Sequence, residues 1–129
     1  MSMEQWMKAA QERARKTIEE TYFGTLTVTE LQKVKDPNTG ITKSKEAVTL
    51  EGQPCRLSFK TVQSTSQNDA AAELVQVTKL FVSPDVDIKA GSKLTVTQEG
   101  VTTDYACSGV AAVYPTHQEI VLQIFERYA

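Results

Sequence analysis

The side chains equipped for nucleophilic or metal chemistry are few: one histidine, His117, and two cysteines, Cys55 and Cys107. A thiol attacks as its thiolate and needs a base within hydrogen-bond reach, so Cys107 and His117 are the pair a fold would have to bring together. Both cysteines lie in strand-like alternations, Cys55-Leu57-Phe59 and Val101-Thr103-Tyr105-Cys107. There a free cysteine serves as a small buried hydrophobe. A lone histidine with two distant cysteines matches no structural zinc spacing, and no Cys-x-x-Cys is present. The glycines are isolated turn residues, so no phosphate-cradling loop forms. These residues argue against an enzyme and call for no cofactor or metal; His117 reads as the opening of a strand, bonded to a turn.

Charge offers a different kind of chemistry. The net charge is −2, but residues 1–60 carry ten Lys/Arg against eight Asp/Glu, and residues 61–129 carry four against eight. Neither half has the clustered positive charge needed to neutralise phosphates, which argues against tight nucleic-acid binding. A molecule with one basic and one acidic side can instead stack head to tail with its own copies. The candidate inter-subunit charges are Lys33, Lys35, Lys43 and Lys45 on the basic side, with Asp85, Asp87, Glu99 and Asp104 on the acidic side. A small oligonucleotide- or oligosaccharide-binding barrel is the competing class. It needs exposed aromatics interleaved with cations on a strand face. Arg56 and Lys60 beside Phe59 come nearest, and Phe59 alternates inward.

The elements that must position these groups are read from hydrophobic period. At 129 residues the chain is one domain's worth, expected as a helix over 1–23 and a β-barrel over 25–129. Ser2 followed by Gln5 is a capping box. Met3, Trp6, Met7, Ala10, Ala14, Ile18 and Tyr22 then form one apolar stripe opposite Glu4, Lys8, Glu12, Lys16 and Glu20, predicting a helix packed on the core and ended by Gly24. From Thr25 the period becomes two, which predicts strands. The first runs through Glu30–Lys35 with a bulge-like slip of phase, and Asp36–Gly40 is a turn. Ala47–Glu51 returns it, with polar Ile41–Glu46 as a mobile tip. Gly52–Pro54 reads as a second turn, before Cys55–Lys60.

Gln63, Ser64, Thr65, Ser66, Gln67, Asn68 and Asp69 contain no apolar residue and read as a long connection, a place where function tends to sit. Leu74–Val82, Ser92–Thr97 and Val101–Cys107 follow as strands. The last, Glu119–Phe125, is apolar at Ile120, Val121, Leu122, Ile124 and Phe125, so it needs cover on both faces. It is either the central strand of a closed or layered β structure or one with a face in a protein interface, and a chain stopping one residue after Tyr128 points to an end built into something. The class is mainly β, a small barrel or sandwich with an N-terminal amphipathic helix and long hairpin excursions. No signal peptide, membrane-length apolar run or lipidation signal is present, which points to a cytosolic, reduced protein without membrane contact.

The run Ile88–Thr97, the hairpin after it, Val113–Ile120 and the closing Glu126–Ala129 resemble the minor capsid head–tail connector proteins of tailed bacteriophages and prophages. Within that group the head-completion or stopper proteins are similar in size, in barrel character and in carrying a long loop. The resemblance covers the chain from Ile88 onward and is loose before it; the N-terminal helix has no counterpart in the pattern. It implies a homo-oligomeric ring in the neck of the particle, between portal or adaptor and tail proteins, that helps retain or pass DNA. It implies the host cytoplasm during assembly and the virion thereafter, and a Gln63–Asp69 loop projecting into the ring's channel beside the DNA. A collar or tail-end protein of a headless contractile tail-like particle is the variant it leaves open.

Overall fold

The computed structural model describes residues 2–64 and 73–128. Helix α1 (Met3–Glu19) opens with the expected capping box: Gln5 N–H donates to the Ser2 hydroxyl, and Ser2 N–H donates to Gln5 Oε1, both at 3.2 Å. It ends earlier than the 1–23 span predicts. The N–H groups of Thr21 and Tyr22 turn back onto the carbonyls of Ile18 and Glu19, and Gly24 begins the first strand instead of stopping the helix. A Cβ on Gly24 would lie 3.1 Å from the Cys55 carbonyl oxygen and 3.3 Å from both Cys55 Sγ and the Thr97 carbonyl oxygen, so glycine lets the strand start wedged between two neighbours.

Among the described residues the strands are β1 (Gly24–Lys35), β2 (Thr42–Ser64), β3 (Glu73–Val82), β4 (Lys93–Gln98), β5 (Val101–Cys107), β6 (Ala112–Val113) and β7 (Gln118–Ile124). All pairings are antiparallel, in the order β3-β2-β1-β4-β5-β7-β6, and β3 also pairs with β7. That last pairing closes the sheet into a barrel and removes its open edges. The fold is mainly β, as the alternation of residues predicts, and β7 is the strand that closes it.

The core is a period-two pattern seen in the round. Leu26 and Val28 of β1, Cys55 and Leu57 of β2, Leu80 and Val82 of β3, Leu94 and Val96 of β4, Tyr105 of β5, and Ile120 and Leu122 of β7 point inward and are buried. Each fully buried large aliphatic contributes about 1.5–3 kcal/mol over its exposed state. Where β1 has not yet begun, the Gln98 side chain bridges the gap: its Oε1 accepts from Leu57 N–H at 2.8 Å and its Nε2 donates to the Leu57 carbonyl at 3.4 Å.

Strand β2 overruns the barrel at both ends. Its first part pairs with β1 from Lys35↔Thr42 to Glu30↔Ala47, past Thr29↔Lys93 where the β1–β4 ladder ends. Its last part pairs with β3 as far as Ser64↔Glu73, past Thr78↔Leu122 where the β3–β7 ladder ends. Two ribbons therefore leave the barrel at opposite ends of β2, the first about 20 Å long at ~3.3 Å per residue. Thr42–Glu46 is thus strand and not a mobile tip; both faces of a ribbon are solvated, so its sequence carries no alternation. Gly52 (φ 69°) does not turn the chain but relieves a bulge inside β2. The register slips lie at Leu26/Val28 and Val28/Thr29, ahead of the expected Glu30–Lys35, with the extra residues on β2.

Candidate functional site

The four candidate lysines all lie on the first ribbon. Opposed residues of an antiparallel pair share a face, so Lys33↔Ser44 and Val34↔Lys43 put Lys33 and Lys35 on one face and Lys43 and Lys45 on the other. All four are exposed, and none has an ion-pair partner among the described residues. The tip is held by Asp36, whose carboxylate accepts from Asn38 N–H at 2.8 Å; that bond holds its pKa below the usual carboxylate value.

The acidic residues are not gathered in the same way. Asp85 and Asp87 follow β3, Glu99 sits in the β4–β5 turn at φ 52°, and Asp104 lies on β5, where it accepts from the Thr95 hydroxyl at 2.6 Å. Asp85 is engaged within the chain: Arg15 Nη2 donates to its Oδ2 at 2.7 Å and to Ser83 Oγ at 2.6 Å, while Arg15 Nε donates to Glu19 Oε1 at 3.1 Å. Among the loop residues, Gln63 and Ser64 are the last residues of β2, paired with Leu74 and Glu73. Thr65, Ser66, Gln67, Asn68 and Asp69 lie outside the described residues.

Cys107 and His117 are not brought together. Cys107 pairs with Leu122, five residues along β7 from His117, or about 16 Å at ~3.3 Å per residue. Burial pushes the Cys107 thiol up and the Cys55 thiol to about 12, the reverse of what a nucleophile needs. His117 is held in a packed cluster: Tyr114 stacks on it at 4.9 Å, Phe81 lies at 5.8 Å, Thr116 Oγ1 is 2.9 Å from Nδ1, and Glu119 Oε1 is 3.6 Å from Nε2. Tyr114 N–H donates to the His117 carbonyl, the turn expected at the start of the last strand. Among the described residues no group of three or more His, Cys, Asp or Glu is placed to hold a metal, and no helix is long and apolar enough to cross a membrane.

The largest departure from expectation is α1. Its stripe was expected in the core, yet no helix residue is buried, and Met3, Trp6 and Met7 are 79%, 60% and 50% exposed. Amphipathicity shows that a face needs cover without saying what covers it. The C-terminal half of the helix docks on the barrel through Arg15. Beside it Thr17, Ile18, Tyr22, Arg56, Phe81 and His117 line a groove of about 360 Å³ on the barrel's outer face. The Tyr22 hydroxyl is buried there without a hydrogen-bond partner among the described residues, and burial raises its pKa. The N-terminal half of the helix overhangs.

Arg15, Ser83 and Gln118 were not legible as a unit. Gln118 is buried and donates from Nε2 to the carbonyls of Ser83 at 2.8 Å and Val86 at 2.6 Å, fixing the loop that receives Arg15. The signal for the groove lay in β3, apolar on both faces: Leu80 and Val82 fill the core while Phe81 points out under the helix. Phe59 is expected inside but is 52% exposed, because it sits at the barrel rim: it pairs with Thr78 at the last β3–β7 rung and lies past Cys55, where the β1–β2 ladder ends. Lys60 and Arg56 point to the opposite face of β2, so Phe59 is not an aromatic interleaved with cations on one face.

No family model and no curated protein matches the chain. Among solved structures, the phage-like element PBSX protein xkdH from Bacillus subtilis is similar over 78% of this chain and 90% of its own, at 14% sequence identity and a TM-score of 0.43. A likeness of that size says nothing about function.

Proposed function

We propose that this protein is a structural component of a tailed-phage or prophage particle, a head-completion or stopper type of head–tail connector. In this reading it forms a ring between portal or adaptor and tail, helps retain or pass DNA, and has no catalytic role. The reading rests on the resemblance from Ile88 onward. The observation that carries it is a closed barrel whose interaction elements all project from it: two ribbons leaving at opposite ends of β2, and an overhanging helix with Met3, Trp6 and Met7 exposed. A barrel without open edges in its wall cannot grow by adding strands there, which leaves these extensions as the elements best placed to reach neighbours. The four ribbon lysines supply register more than strength, since exposed ion pairs are worth about 0–1 kcal/mol each and are screened by salt. In the host the protein is cytoplasmic until assembly, and in the particle it sits at the neck.

The test is deletion of the gene from its prophage or phage, followed by electron microscopy of the lysate. The expected result is heads and tails that fail to join, or joined particles that lose their DNA. Normal particles refute the reading. Defective tail ends on particles that never carry heads transfer the protein to the collar or tail-end role.

A further inference from the structure

The apolar stripe of α1 is continuous, but only one half of it is covered. Ile18 and the following Tyr22 line the groove against Phe81, whereas Met3, Trp6 and Met7 stand exposed to solvent. The exposed half cannot fold back into the groove beside Ile18. Both belong to one continuous helix, and twelve residues separate Trp6 from Ile18, about 18 Å at 1.5 Å per residue. A knob and a groove on the same rigid body, too far apart to meet within one molecule, can meet only between molecules.

We infer that the overhanging Met3-Trp6-Met7 knob docks into the groove between α1 and the barrel of a second copy of this chain. The chemistry of the two surfaces matches. The knob is apolar and flanked by Glu4, which is exposed and has no ion-pair partner among the described residues. The groove is lined by Ile18, Tyr22, Phe81 and the stacked His117, and is flanked by Arg56, exposed and likewise without an ion-pair partner among the described residues. Its volume of about 360 Å³ suits one large aromatic side chain with part of a neighbour. Glu4 of one copy then meets Arg56 of the next. The contact is heterologous: each molecule offers its knob to one neighbour and its groove to the other, so repetition closes into a ring or runs on as a helix. A Trp buries on the order of 150–250 Å², so three such side chains reach only the ~600 Å² per partner at the lower limit of stable interfaces. The contact is weak between free molecules and gains strength where a template holds the copies side by side. It deepens the ring reading, although the helix and the groove carry it independently of the particle to which the ring belongs.

The experiment uses the full chain in two forms. Sedimentation from micromolar to millimolar concentration gives the self-association constant; Trp6→Ala weakens it by about tenfold or more, as a central aromatic anchor does. Alanine is the best helix former, so this variant keeps its fold. Glu4→Arg and Arg56→Glu each weaken association, and the double variant carrying both changes restores it. In parallel, a photo-reactive phenylalanine at position 6 in an isotopically mixed sample forms intermolecular cross-links to peptides containing Ile18–Tyr22, Arg56–Ser58 or Phe81. Absence of association up to millimolar concentration, association indifferent to Trp6→Ala, or cross-links elsewhere overturns the inference. If neck particles contain the protein while Trp6 cross-links to a different component, this contact is refuted and the neck reading stands.

Discussion

Replacing Ile120 by alanine tests the closure of the barrel most sharply. Ile120 is 2% exposed, sits on the inner face of β7, and is the direct partner of Leu80, which is fully buried. Truncating a buried isoleucine costs about 2–5 kcal/mol because the cavity collapses only partly. A domain of this size holds roughly 5–15 kcal/mol in all, so the variant loses a large share of its stability. The next residue along the strand is the control: Val121 is 39% exposed on the opposite face, and Val121→Ala is expected to change stability by about 0.5 kcal/mol or less. Urea unfolding followed by far-ultraviolet circular dichroism is the appropriate assay. Trp6 fluorescence is not, since that ring is 60% exposed on the helix overhang and reports little of the barrel. The Ile120→Ala midpoint should fall with its slope unchanged. Equal midpoints for the two variants, or a larger loss at Val121, would refute the assignment of β7's faces.

The remaining expectations concern single contacts. Deleting Ile120–Tyr128 removes the strand that joins β3 to β5 and should leave the protein unfolded or insoluble, whereas replacing residues 65–72 by a short turn should cost little, about 0.6 kcal/mol per halving or doubling of loop length. Tyr22→Phe removes a buried hydroxyl that has no partner among the described residues, so the melting temperature should hold or rise, and a clear fall would mean that the hydroxyl is bonded. With thiols raised by burial, Cys55 to about 12, iodoacetamide at pH 8 should modify the native protein far more slowly than the denatured one. The folded-state pKa of Asp36 lies below its ordinary value, so its contribution to the ribbon tip is present above about pH 4 and is lost as pH falls through the lowered pKa. A carbon-detected NMR titration of that carboxyl should show a midpoint below 3.8.

The sequence made the barrel legible wherever one face of a strand is dry. Leu26 and Val28, Cys55 and Leu57, and Leu94 and Val96 alternate inward as their spacing predicts. Legibility failed where structure lacks a dry face or where several causes leave the same mark. Thr42–Glu46 is strand but wet on both sides, so it looked like loop. Gly52 signals a positive φ, which a turn and a bulge both require. Phe59 keeps the inward phase of Leu57 but sits at the barrel rim, and phase does not encode length. The stripe on α1 is amphipathic as its spacing predicts but is not core, because the same pattern marks an apolar face whether or not the chain itself covers it. Arg15, Ser83, Asp85 and Gln118 carry no periodic signal; only the fold brings them together.

The most direct test of the proposed role is electron cryomicroscopy of the native particle with this chain fitted into the density. The expected density is a ring of copies at the neck between portal side and tail, with the helix overhang of each copy seated on its neighbour and the end of the β2–β3 ribbon directed toward the DNA channel. A particle whose neck lacks the chain, or a neck in which the copies touch only through the barrel walls while both ribbons and the helix end face solvent, would contradict it.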